Sequence, residues 1–227
     1  MPDKISVIIR CKNEGRWIGH TVQSVIDAIP NNEIIIIDNG STDKSLEIVR
    51  QFQSNPNLEI NKSKYTKIDV YDIEDYSPGK AINLGVEKAS ADSKYIMIIS
   101  SHCVLTKFNF EKNLKSLQEF VAIFGDQTPI YRGQKITRRY LWSHFQAEEV
   151  VNMYSEQEER YFFHNALSLF KKDFLLQHPF DEKLVGKEDR YWANNVIQNN
   201  IGKILYDPEF SCDHHYTDNG NTWKGIG

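Results

Sequence analysis

Residues 95–103 read YIMIISSHC, an apolar strand that opens onto two hydroxyls, an imidazole and a thiol. The C-terminal end of a strand is where open α/β sheets bind ligands. Other side chains of chemical use are spread along the chain. Asp38 closes the run EIIIID at the turn Asn39-Gly40. A carboxylate there can accept the N3–H of a uracil or thymine ring, or it can simply support the turn. Lys80 follows Ser77-Pro78-Gly79 in the first turn of a helix, where free N–H groups favour an anion and an ammonium can meet a diphosphate. An ordinary surface lysine is the alternative. Asn83 lies one turn on. Glu188-Asp189 open another helix, either as dipole-complementing caps or as acid–base groups. Trp192, on that helix, is a sugar platform or a core residue.

The elements that must hold these groups alternate. Ile5–Arg10 and Glu33–Asp38 are apolar runs expected as buried parallel strands. Asn13 is expected to cap a helix from about Arg16, with Ile18, Val22, Val25, Ile26 and Ile29 on one face. A second helix is expected over 43–53, a short strand over Leu58–Asn61, and a helix after Ser77 with Ile82, Val86 and Ala89 inward. This β-α-β-α-β order predicts an α/β fold with a doubly wound parallel sheet. The second half is less regular. It has an amphipathic helix through Phe110, Leu114, Leu117 and Val121, a polar helical stretch over 138–160, and a strand over Asn165–Phe170. A helix over Glu188–Asn200 and a strand over Lys203–Tyr206 complete it. With no repeat or linker, one domain over 1–227 is expected.

At 227 residues and 40% hydrophobic content, the chain can bury one sizeable core. A net charge of −4 argues against a nucleic-acid partner. The basic cluster 135–139 reads as a solvated helix face or an anion site. Cys11, Cys103 and Cys212 are odd in number and widely spaced. They match neither a zinc site nor a disulfide framework, which points to a reducing compartment. No signal peptide or apolar membrane span is read, so a cytoplasmic protein is expected, with peripheral contact at the inner face of the membrane left open.

Four ordered stretches resemble family 2 glycosyltransferases of the GT-A fold: SVIIRCKNE (6–14), IIIIDNGSTD (34–43), SPGKAINLG (77–85) and PFDEKLVGKEDRYWA (179–193). The likeness is to a rhamnosyltransferase-like subgroup whose middle strand ends in Ser-x-His instead of Asp-x-Asp. That subgroup's Gly-Arg-Gln-x-Pro segment appears here as Gly125-Asp126-Gln127-Thr128-Pro129, with Asp126 in the arginine's place. The resemblance implies a Rossmann-like nucleotide-sugar-binding half (1–105) fused to an acceptor-binding, catalytic half (106–227). It also implies donor contacts at Arg10, Lys12, Glu14, Asp38, Lys80, Asn83, Ser101, His102 and Gln127, and substrate contacts at His164, Asn165 and Trp192. Asp189 becomes the general base, and Glu188 holds it in place or hydrogen-bonds the acceptor.

Aligned on Asp-x-Asp, Ser100 and His102 stand where carboxylates would hold a divalent cation. Three readings stand. His102 ligates a metal such as Mn²⁺ (or Mg²⁺) with His214, His215 being the lesser candidate. Alternatively, His102 and the serines donate hydrogen bonds to the diphosphate beside Lys80. In the third, the site has lost catalysis. The reaction implied is inverting transfer of a sugar from a nucleotide-diphosphate sugar, UDP- or dTDP-linked, to the hydroxyl of a saccharide or lipid-linked acceptor in polysaccharide or glycolipid synthesis. A nucleotide-sugar binder without turnover and a nucleotidyltransferase are the alternatives, the latter disfavoured by the glycine-poor RCKNEG.

Overall fold

The computed structural model describes residues 3–53, 66–136 and 140–217. In chain order the elements are β1 (Lys4–Cys11), α1 (Ile18–Ala28), β2 (Asn32–Asp38), α2 (Ser45–Gln53), β3 (Lys67–Asp72) and α3 (Pro78–Lys88). Next come β4 (Ser93–Ser100), β5 (Cys103–Lys107), α4 (Phe110–Ser116), β6 (Ala122–Tyr131) and β7 (Gln134–Lys135). After a 3₁₀ turn at Tyr140–His144 follow β8 (Val150–Val151), β9 (Tyr154–Ser155), β10 (Arg160–Tyr161), β11 (Leu167–Lys171), α5 (Lys172–Gln177), α6 (Glu188–Gln198) and β12 (Ile204–His215).

The main sheet runs β3-β2-β1-β4-β11-β6-β12-β5. The first four strands are parallel neighbours, as the apolar runs of β1, β2 and β4 predict. β11 then enters antiparallel between β4 and β6, and β12 pairs parallel with β6 and antiparallel with β5. The sheet is therefore mixed beyond β4. Alternation along the strands sends side chains to two cores. Val7, Ile9, Met97 and Ile99 pack under α1 with Val22 and Val25. Ile8, Ile96 and Ile98 pack with Ile82 of α3 and Val196 of α6. None of the described helices is long and apolar enough to cross a membrane.

Several local expectations change. α1 starts at Ile18 without a side-chain cap. Asn13 instead takes a left-handed φ of 53°, and its Oδ1 accepts the Thr42 N–H at 2.7 Å, tying the β1 loop to the β2 loop. The strand expected over 58–61 lies outside the described residues, as do residues 137–139 of the basic cluster. The third strand is β3, whose charged and apolar residues alternate. In place of a helix over 138–160 stand the 3₁₀ turn and three two-residue strands. β12 is far longer than 203–206 because β5 and β6 pair along its second half.

β12 is irregular between Asp207 and Ser211, and Gly125 of β6 faces that irregularity. A Cβ on Gly125 would lie 2.1 Å from the Phe210 carbonyl oxygen and 2.7 Å from Leu167 Cδ2. Neighbouring backbone cannot yield as a flexible side chain can. Gly125→Ala is expected to cost about 1–3 kcal/mol, as overpacking does. A thermal melt checks this, and an unchanged midpoint would refute it.

Candidate active site

Parallel register levels the strand ends: Arg10 lies beside both Ile37 and Ser100, and Cys11 beside Asp38. The Ser100 N–H donates to the Ala166 carbonyl at 3.0 Å, which sets segment 164–166 against the end of β4. A cavity of about 290 Å³ opens where these ends meet the start of α6 and the end of β12. β1 and its loop contribute Arg10, Lys12 and Glu14 to its wall. The end of β4 contributes Ser100, Ser101 and His102. His164, Asn165, Glu188, Asp189 and His214 complete it. Residues far apart in sequence thus share one wall.

Asp189 is 6% exposed and held from three directions. Its Oδ1 accepts the Arg190 backbone N–H at 2.8 Å and Arg190 Nη1 at 3.1 Å, while Oδ2 accepts the Asn165 N–H at 3.0 Å. Glu188 Oε1 accepts from Arg10 Nη1 at 3.2 Å. Burial raises the Glu188 pKa, the neighbouring Asp189 adds to the rise, and Arg10 opposes it. Burial works against the Arg10 charge, but Tyr76, Glu188 and Asp189 outweigh it and raise its pKa. The corner is therefore two crowded carboxylates pinned by one cation from β1 and one from α6.

Opposite them lie the imidazoles. Glu14 Oε1 is 3.2 Å from His102 Nδ1 and accepts the Thr217 hydroxyl at 3.0 Å. His214 Nδ1 is 2.9 Å from Gln127 Oε1, and its ring centroid is 5.0 Å from that of His102 and 6.0 Å from that of His164. Burial drives the pKa values of His164 and His214 well below the usual histidine value, and neighbouring positive groups push the same way. Hard divalent cations prefer carboxylate oxygens. Ser100 and His102 supply none, and among the described residues no three His, Cys, Asp or Glu side chains converge as a metal site. Ser100 and His102 by themselves thus bring no carboxylate to a clamped Mg²⁺ or Mn²⁺, and the pairing of His102 with His214 as ligands stands as an expectation.

Five other expected contacts fall away from the cavity wall. Asp38 is 1% exposed, and its oxygens accept the Ser41 hydroxyl at 2.6 Å and N–H at 2.8 Å, so it supports the turn. Lys80 Nζ donates to the Glu74 carbonyl at 2.8 Å. The Asn83 amide exchanges hydrogen bonds with the Phe180 backbone and donates to Glu182, fastening the loop before α6 onto α3. Gln127 is buried behind His214. Trp192 stacks on Phe180 at 5.2 Å and donates to the His178 carbonyl at 2.7 Å, so it is a core residue.

The wall also holds Arg190, Lys187 and Tyr76, none of which was singled out from sequence. Arg190 had a signal: it lies three residues before the inward Ala193, so a charge was due on the buried face of α6.

The model of glycosyl transferase family 2 matches residues 6–184. Among curated proteins, the minor teichoic acid biosynthesis protein GgaA of Bacillus subtilis is 26% identical over 205 residues, 85% of this chain and 43% of that one. The poly-beta-1,6-N-acetyl-D-glucosamine synthase of Staphylococcus epidermidis is 31% identical over 131 residues, 54% of this chain and 28% of that one. The chain thus spans less than half the length of either. Two solved structures share the fold. S. aureus TarS in complex with UDP-GlcNAc superposes with TM-score 0.69 and 17% identity, over 96% of this chain and 60% of that one. The mannosyltransferase PcManGT of Pyrobaculum calidifontis, in complex with GDP-Man and Mn²⁺, superposes with TM-score 0.67 and 16% identity, over 99% of this chain and 60% of that one.

Proposed function

Since the chain belongs to glycosyl transferase family 2, we propose that it transfers a sugar, with inversion, from a nucleotide-diphosphate sugar to an acceptor hydroxyl. The acceptor is a saccharide or lipid-linked saccharide of a cell-surface polymer, in keeping with the curated relatives. The observation that carries the reading is Asp189, a carboxylate fixed at the cavity wall, whose Oδ2 takes one donor, the Asn165 N–H, among the described residues. A sugar hydroxyl is a poor nucleophile until a placed base takes its proton. Oδ2 accepts that proton as the hydroxyl oxygen attacks the anomeric carbon and the sugar–phosphate bond breaks. Charge grows on the departing diphosphate and must be met by donors. Arg10, Lys12 and the His102 ring line the same cavity and serve that purpose; Lys80, which lies elsewhere, does not.

A uridine donor is favoured through likeness to TarS, which was solved with UDP-GlcNAc. Asp38 does not bear on the choice of base, because it is buried off the cavity wall with its carboxylate on Ser41. Release of nucleoside diphosphate from UDP-, dTDP- and GDP-sugars, each with and without chelator, tests the proposal. Release from a UDP-sugar that survives excess chelator is expected. Loss on chelation would overturn the cation-free arrangement alone. Binding with no release from any donor would favour a nucleotide-sugar binder.

A further inference from the structure

Resting on Asp189 as the base, we propose that Glu158 is a positioning residue for it, acting through Arg190. Glu158 lies in the turn between β9 and β10, outside every motif, yet its side chain is only 4% exposed. Arg190 Nε donates to Glu158 Oε1 at 3.1 Å, and its Nη1 donates to Asp189 Oδ1 at the same distance. The guanidinium carbon sits 5.1 Å over the Phe162 ring. Lys187 Nζ lies 3.5 Å from Glu158 Oε2, so Glu158 also gathers the residue from which α6 starts.

The geometry matters because a guanidinium beside a single carboxylate tends to grip both oxygens in a fork. Such a grip on Asp189 would occupy Oδ2 and stabilise the charged base against accepting a proton. Held at Nε by Glu158, the guanidinium presents Nη1 to Oδ1, the oxygen that also takes the Arg190 backbone N–H, while Oδ2 takes the Asn165 N–H. Oδ2 then keeps an acceptor site for the hydroxyl proton. Glu158 itself touches no reacting atom.

The test compares turnover of a UDP-sugar by the wild type, Glu158→Gln, Arg190→Lys and the double variant, with UDP affinity and thermal midpoint measured on each. Glu158→Gln keeps the shape and removes the charge. It is expected to lower kcat about 10- to 100-fold, the scale of a misplaced catalytic group, with donor KM and UDP affinity unchanged. Arg190→Lys cannot span both carboxylates and is expected to do the same. Because both act through one link, the double variant is expected to be no slower than Arg190→Lys. Wild-type kcat in a folded Glu158→Gln protein, or losses that multiply in the double variant, would overturn the role. A wild type without turnover on any donor would instead sink the transferase reading, and this proposal with it.

Discussion

Asp189→Asn is expected to lower kcat about 10²- to 10⁴-fold, the usual contribution of a placed general base, while UDP binding stays as in the wild type. The amide is the same size and its oxygen still accepts from Arg190, but its nitrogen cannot accept the Asn165 N–H that Oδ2 held. What disappears is the basic lone pair at Oδ2. The substitution also takes one charge from a crowded pair: Asp189 helps to raise the Glu188 pKa, which should fall back once the charge is gone. Relief of the crowded pair works against the loss of the Asn165 hydrogen bond and of one partner of Arg190, and a thermal melt of the variant separates lost chemistry from lost fold. Diphosphate release and calorimetric titration with UDP check the two halves. Wild-type turnover in the variant would show that the proton goes elsewhere.

What the sequence disclosed follows from what each residue's environment demands. β1, β2 and β4 are covered on both faces, so their pattern is an unbroken apolar run. α3 is announced by Ser77, which accepts the Lys80 N–H at 3.1 Å, and by Pro78 in the first turn. The region over 140–166 gave no such signal. Its turns use left-handed Asn152 and Glu159 where glycine would have marked them, and its strands are too short for a period. The site divides in the same way. The motifs name loops that come together, since Arg10, Glu14, His102 and Asp189 line one cavity. They do not say which side of a loop faces it. Asp38 turns inward to brace its own turn, and Asn83 turns to the loop before α6, which it fastens onto α3. Glu158 was invisible because its link to the site, Arg190, lies on a helix 32 residues away.

Arg10→Met is expected to be the most destabilising single change at the site. Arg10 and Glu188 form an ion pair with side-chain exposures of 17% and 8%. Removing one partner of a buried pair typically costs about 3–5 kcal/mol because the other charge is left unmatched. The partial exposure of Arg10 places the expectation at about 3 kcal/mol, or a midpoint lowered by about 6–12 °C in a chain of this size. The loss should depend on pH. The Glu188 pKa is already raised by burial and by Asp189, and without Arg10 it must rise further. A carboxylate whose folded pKa exceeds its unfolded value is best tolerated below the unfolded value, and stability is lost as pH rises through the folded one. The variant should therefore melt closest to the wild type near pH 4, within the limit that acid sets on both, and furthest below it near pH 8. Adding Glu188→Gln removes the unmatched charge and should restore most of the midpoint at pH 8, since neutralising both partners costs far less than stranding one. A pH-independent deficit, or a double variant no more stable than Arg10→Met, would mean that Arg10 supports the fold through its packing and not through its charge.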